Sequence, residues 1–290
     1  MKNKIAIASA FLAASSFSFA EIALTESLSV EGFIDTGYTD GNNTNASLDL
    51  NEVEISFLLD MGAVSAQVDT EYTTNAGSGE LDQAFISYDV FGGTLSAGLM
   101  DSQLFLQATE APGLYTNSLA YGADAQAAAD EAVNFTVQLD EVSSLGVSFV
   151  NGTAGFLGDN PEDNIIEVAY GRDLCNGFGV FVGARSAEQS ENDIVNAYVT
   201  YETGALMVAA EVVDTDIAEG YQLLANYAYA DNASVTVRFT NLEANGADND
   251  IVTIAHQLAL SDNLMLTTEF SDLGDLPAGE VFSVGALFTF

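Results

Sequence analysis

Polar and apolar positions alternate along most of this chain with a period of two. In its last ten residues, VFSVGALFTF, Phe282, Val284, Ala286, Phe288 and Phe290 share one face, while Val281, Ser283, Gly285, Leu287 and Thr289 share the other. Successive side chains of a strand point to opposite sides, so this segment predicts a strand with one wholly apolar surface and one of mostly smaller or polar groups. In 63–72 the split is again clean: Val64, Ala66, Val68 and Tyr72 against Ser65, Gln67, Asp69 and Glu71. Strand-length segments of this kind fall roughly at 28–38, 50–59, 63–72, 82–89, 93–99, 133–139, 145–150, 165–171, 178–185, 194–201, 206–213, 221–229, 234–240, 251–258, 264–270 and 281–290, about sixteen in all.

The connections alternate in length. Short turns at 60–62, 90–92, 140–144, 173–177, 202–204, 230–233 and 261–263 are interleaved with longer acidic stretches near 39–49, 73–81, 100–132, 151–164, 186–193, 214–220, 241–250 and 271–280. A strand with one apolar face satisfies its backbone in lipid only when paired on both sides, which requires a closed wall. The pattern therefore predicts an all-β fold: a transmembrane antiparallel β-barrel of about 16 strands, with a long inserted loop (100–132) after the fifth strand. Short turns then mark one rim, the rim that carries both termini. Three prolines in 290 residues leave strand ladders almost uninterrupted, and with no linker-like stretch one barrel domain is expected over 21–290.

The first residues have a different character. Lys2 and Lys4 precede an apolar stretch from Ile5 to Ala14, and Ser18-Phe19-Ala20 forms a small-x-small site. This reads as a secretory signal peptide over 1–20. Its apolar part is about half the ~20 residues a membrane-crossing helix needs, so the chain enters a membrane as strands if it enters one at all. Every acid lies beyond the leader. Without Lys2 and Lys4, 43 Asp and Glu face only Arg172, Arg185 and Arg238, a net charge of −40. This excludes nucleic-acid binding through a basic face and opposes docking on anionic headgroups through basic patches. Small cations are the natural counter-charge. The same composition also suits a soluble protein secreted into salty water, a reading that leaves the rim alternation unexplained. Cys175 is the single cysteine, placed in a turn, so no intramolecular disulfide is expected.

With this strand number, its terminal phenylalanine and its longest loop after the fifth strand, the chain resembles the general trimeric porins of Gram-negative outer membranes. It resembles comparably the porin-like barrels of marine and related bacteria. The resemblance covers the whole chain after the leader, and VFSVGALFTF is its most specific motif. It implies an outer-membrane location among lipid and lipopolysaccharide, a homotrimer associated through its walls, and a third external loop folded into the barrel to narrow the pore. The matching segment, 100–132, contains Glu110-Ala-Pro-Gly113 where that family carries an acidic, Pro/Gly-bearing turn. General porins oppose their loop carboxylates with a basic cluster on the lumen wall. Here only Arg185 and Arg238 fall on inward positions, so a one-signed acidic lumen is expected.

Fixed carboxylates lining a wet pore lower the energy of a passing cation and raise that of an anion. Glu31, Asp35, Glu52 and Glu54 fall on the inward side of the first strands, and the lumen wall is assigned Asp69, Glu71, Glu167, Arg185, Glu211, Arg238 and Glu269. The constriction is assigned Asp101, Glu110, Asp124, Asp130 and Glu131. A guanidinium on the lipid face costs roughly 2–4 kcal/mol at midplane, which places both arginines inward, paired with wall carboxylates. Asp214, Asp216 and Glu219, and Asp248 with Asp250, offer oxygen donors of the kind calcium prefers, though neither group completes a calcium-loop pattern. No other cofactor is expected. His256 shares a face with Val252 and Ile254 and lacks a neighbouring nucleophile, so the sequence gives no support to an enzyme. The expected function is a passive, cation-preferring channel for small hydrophilic solutes. The alternative is a structural or surface-interaction barrel with cation-binding acidic loops.

Overall fold

The computed structural model describes residues 21–73, 79–107, 111–121, 130–151, 164–187, 193–216, 218–244, 247–274, 276 and 279–290. The expected leader lies outside these residues, as do Glu110 and Asp124. The strands are β1 (Ile22–Ala23), β2 (Leu28–Gly41), β3 (Thr44–Asp60), β4 (Val64–Tyr72), β5 (Gly79–Val90), β6 (Gly93–Met100), β7 (Asp130–Asp140), β8 (Ser143–Asn151), β9 (Asn164–Asp173), β10 (Phe178–Ala187), β11 (Ile194–Thr203), β12 (Leu206–Thr215), β13 (Ala218–Ala230), β14 (Ala233–Ala244), β15 (Ala247–Ser261), β16 (Leu264–Asp272) and β17 (Glu280–Thr289).

From β2 onward each strand pairs antiparallel with the next, and β17 returns to β2 through Val284↔Tyr38 and Phe288↔Ile34. The result is a closed 16-stranded barrel, with β1 an extra two-residue strand on β2. Phe290 fastens the seam beyond the last ladder pair: its amide donates to the Gly32 carbonyl at 2.9 Å, and Gly32 N donates back at 2.8 Å. A side chain at Gly32 would stand 2.9 Å from the Phe290 ring and 2.3 Å from the Glu54 carbonyl oxygen, so the closure has no room for one.

The alternation sets the facing of the wall. Ile34, Ile55, Phe57, Val68, Ile86, Phe149, Val182, Val195, Leu223 and Ile254 point out and are exposed. Their neighbours in sequence and register, among them Ser56, Asp69, Asn196, Gln222, Thr236 and Thr253, point in and are buried. An apolar belt running round a whole barrel far exceeds the patches that water-soluble monomers expose, and matches lipid. Exposed aromatics border it: Tyr88, Phe178, Tyr227, Tyr229 and Phe288 toward the rim of the termini, and Tyr38, Tyr72, Tyr221, Phe270 and Phe282 toward the opposite rim. Such rings suit the interface between lipid and water.

Three stretches expected as loops are largely strand. β2 and β3 continue through most of 39–49, β12 and β13 are separated only by residues 216–217, and β14 and β15 only by 245–246. Their residues stay in ladder register, as in Asp214↔Glu219 and Asn241↔Asp250. The acids and asparagines there belong to strands standing above the apolar belt. Polarity reports contact with water, and a hydrated strand pairs as well as a lipid-facing one.

Candidate functional site: a loop seated in the lumen and the carboxylate wall beside it

Beyond β6 the chain turns into the barrel, and its described parts, 101–107 and 111–121, lie against the inner faces of β8 to β17. Leu104, Phe105, Leu106, Tyr115, Ala120 and Tyr121 pack with Ala169, Phe181, Ile194, Tyr198, Met207, Ala209, Val213 and Leu224 into one buried cluster. These wall residues occupy inward positions, where a purely water-filled barrel would place polar groups. The wall also leaves space for the loop. A side chain at Gly183 would come within 2.2 Å of Leu104, and one at Gly146 within 2.0 Å of Gln103. Phe105 has φ 76°, in the left-handed region that non-glycine residues rarely adopt, and is held there by its packing.

A non-repetitive segment removed from water must find partners for its backbone, and here the wall carboxylates supply them. Ser102 Oγ donates to Glu167 Oε2 at 2.7 Å, and Gln103 N to Glu167 Oε1 at 2.9 Å. Phe105 N donates to Asn196 Oδ1 at 3.0 Å and Leu106 N to Glu211 Oε1 at 2.7 Å. Further along, Asn117 N donates to Glu269 Oε2 and Ser118 Oγ to Glu269 Oε1, both at 2.6 Å. Gln257 Nε2 reaches the Leu114 carbonyl at 3.0 Å. The Arg238 guanidinium grips the same turn, donating to Thr116 Oγ1 at 2.8 Å, the Ser118 carbonyl at 2.6 Å and Ser118 Oγ at 2.8 Å.

These contacts correct several expectations. Glu167, Glu211, Glu269 and Arg238 point inward but are buried beneath the loop, at 2%, 2%, 4% and 1% exposure, instead of lining open space. They act as its mounts because the loop covers that wall. Arg238 hydrogen-bonds loop hydroxyls and carbonyls, with Gln107 and Thr253 completing its described contacts, in place of the expected ion pair with the wall. Arg185 does pair with acids: Asp130, and Glu167 at 4.0 Å. Asp130 and Glu131, expected on the constriction loop, belong to β7. Asp130 faces in toward Arg185, whereas Glu131 shares the outward face of Val133 and Phe135 and is exposed, which removes it from the constriction. Asn196, Gln257 and Ser148, whose Oγ accepts from Gln103 Nε2 at 3.0 Å, are further mounts that the sequence pattern does not single out. The signal that betrays a covering loop is the run of apolar residues at inward positions, Phe181, Ile194, Met207 and Val213.

Away from the loop's mounts the wall is acidic. Asp35, Glu52, Glu54, Asp69 and Glu71 face inward on β2 to β4, with Asp82 beside the irregularity where Asp69 and Thr70 pair with β5. Asp101 joins them at the loop's start, its amide donating to Gln83 Oε1 at 3.3 Å. Burial pushes the Asp101 carboxyl up to about 7, and the negative charges of Asp82 and Asp69 push the same way. Neutral donors satisfy part of the set: Asn51 on Asp35 at 2.9 Å, Ser56 on Glu54 at 2.9 Å and Gln67 on Asp69 at 2.7 Å. Arg172, the remaining arginine, lies 3.7 Å from Asp140 near the rim of the termini. Between loop and wall is a cavity of about 380 Å³ whose lining includes Asp35, Asn51, Glu52, Leu114, Leu119 and Met265.

The segments considered for calcium are engaged in ordinary contacts. Asp216 Oδ2 accepts from Asp193 N at 2.9 Å, and Asn241 Nδ2 donates to Asp248 and Asp250 at 2.7 and 2.9 Å. Among the described residues no three His, Cys, Asp or Glu side chains gather in a metal-binding arrangement. His256 faces outward toward the rim of the termini, with Nε2 2.7 Å from the Tyr229 hydroxyl.

No protein-family model matches the chain, and no curated protein is similar to it in sequence. Solved structures are similar in fold. OmpF of Salmonella typhi, in complex with daunomycin, gives a TM-score of 0.75 at 11% identity, covering 93% of this chain and 100% of that one. A mutant of the Rh. blastica porin gives 0.68 at 14% identity, covering 91% and 100%. The trimer form of OmpT, an outer membrane protein of Vibrio cholerae, gives 0.63 at 13% identity, covering 91% and 99%. The barrel therefore has the porin fold.

Proposed function

We propose that this protein is an outer-membrane porin, a water-filled channel through which small hydrophilic solutes diffuse passively and cations pass more readily than anions. The observation that carries the reading is the division of charge inside the barrel. All three arginines are engaged, at Asp140, at Asp130 with Glu167, and at the loop turn, while Asp35, Glu52, Glu54, Asp69, Glu71, Asp82 and Asp101 share the remaining wall. Carboxylates without an opposing cationic cluster set a negative potential along the path. The porin fold of similar outer-membrane proteins supports the location, and the apolar belt supports lipid, with lipopolysaccharide where present, as its surroundings. The trimer form of the V. cholerae protein supports a homotrimer.

Reversal potentials across a potassium chloride gradient in a planar bilayer test this reading. Potassium preference is expected at low salt and should weaken at ~1 M, where the screening length falls to about 3 Å. Anion preference at low salt would overturn the cation preference, and a folded barrel with no conductance would leave the structural-anchor alternative in its place.

A further inference from the structure

The cavity between loop and wall has a floor laid out in rows. Ladder pairing sets Met265, Leu287, Asp35 and Glu52 side by side across β16, β17, β2 and β3, and the next inward row runs Thr267, Gly285, Gly37. All of them line the cavity. The two adjacent glycines leave a slot in the floor: a side chain at Gly285 would stand 2.8 Å from Asn117 Oδ1 of the loop, and one at Gly37 3.0 Å from Asn51 Nδ2. Leu114 and Leu119 line the loop side of the same space. Its two ends differ. At one, Asp35 accepts from Asn51 at 2.9 Å, while Glu52 has no hydrogen-bond partner among the described residues. At the other, Thr267 is 5% exposed, yet its hydroxyl on the cavity lining meets no partner among the described residues. Buried hydroxyls are nearly always matched, as Thr253 and Ser271 on the same wall match each other at 3.0 Å.

A ligand that answers both ends has a definable chemistry. Carboxylates bond most strongly to a donor that carries positive charge, and the chain's arginines are engaged elsewhere. The Thr267 hydroxyl both donates and accepts, so another hydroxyl matches it whichever way the proton points. Thr267 and Asp35 lie two strands apart and two residues out of row, about 12 Å between Cα atoms; less the reach of the side chains, this suits a spacer of about five carbons. Leu287, Leu114 and Leu119 give such a spacer an apolar lining within a space of about 380 Å³. We propose that this cavity is a binding site for linear amino alcohols, the ammonium donating to Asp35 and Glu52, the hydroxyl exchanging a hydrogen bond with Thr267, and the methylene chain lying over Gly37 and Gly285 against Leu114 and Leu119. The site rests on the channel reading and gives it a solute class.

The probes 5-aminopentan-1-ol and pentylammonium carry the same charge and differ by one hydroxyl. Calorimetric titration of the full-length protein folded in detergent, at about pH 8 where both amines are ammonium ions, should show the amino alcohol binding about fivefold more tightly, the factor a single hydrogen bond supplies. Thr267→Val should bring the two to equal affinity, and Thr267→Ser should keep the preference. Asp35→Asn with Glu52→Gln should weaken both at least tenfold and leave their ratio unchanged. Equal affinities in the native protein, or no binding of either probe, would overturn the site. A preference that survives Thr267→Val would overturn its placement at this hydroxyl. The titrations need no conduction, so a native barrel that binds the amino alcohol and conducts nothing would overturn the channel reading and leave the site, whereas one that conducts cations and does not discriminate would do the reverse. The comparison on the native protein decides even if a variant fails to fold.

Discussion

Arg238 shows how one buried cation organises a segment that has no secondary structure of its own. Its guanidinium is 1% exposed and spans the hydroxyls and carbonyls of residues 116–119, so removing it takes a donor from each and leaves the Ser118 carbonyl only the Thr116 hydroxyl. Arg238→Met should lower unfolding stability by on the order of 2–3 kcal/mol and make single-channel current noisier, as the turn leaves its mount. Thermal unfolding in detergent and bilayer recordings read the two effects separately. Asp101 bears on selectivity through its protonation. Its carboxyl is pushed up to about 7, chiefly by burial, so it is charged above that pH and neutral below it. Cation preference should therefore fall as pH drops from 8 to 6, and Asp101→Asn should make that fall shallower. Reversal potentials measured across this range would show it; a native profile as flat as the variant's would count against a role for Asp101 in the path.

At the scale of elements, the loop is an inner layer that the strand wall was built to receive. Deleting the middle of its described second part, 112–117, should raise single-channel conductance and solute cut-off while the barrel still closes, because the strand ladder does not pass through it. Unchanged conductance in a folded variant would place the loop outside the path. Gly183→Leu should act in the same direction, since the new side chain would occupy the seat of Leu104; overpacking of this kind costs about 1–3 kcal/mol. The wall was readable from sequence because a period of two reports directly which face meets lipid: Val68 against Asp69 needed nothing further. The ends of strands were less readable, because Asp214 and Asn241 carry the same polarity whether paired or looped. What Glu167, Glu211 and Glu269 face was not readable at all, since parity gives a direction and not what lies in that direction. Only the apolar inward positions of β10 to β12 hinted at a cover.

The whole molecule is a ring whose closure depends on a few residues at the seam. Removing Phe290 deletes both backbone bonds to Gly32 and the ring beside it, so the temperature at which dodecyl sulfate unfolds the barrel should drop by several degrees. Gel mobility of heated and unheated samples measures this directly.

The loop's ties also carry an order in time. Along the loop's first part the partners lie progressively further down the chain: Gln103 meets Glu167 across 64 residues, Phe105 meets Asn196 across 91 and Leu106 meets Glu211 across 105, while the later turn ties to strands further on still, from Arg238, 122 residues from Thr116, to Ser283, 166 from Asn117. Nearer contacts close with less entropic cost, and the wall itself grows by neighbouring hairpins. The loop can therefore dock stepwise behind an advancing sheet and need not thread into a finished cylinder. On that sequence of events Glu167→Gln should slow folding, and Glu269→Gln should mainly hasten unfolding.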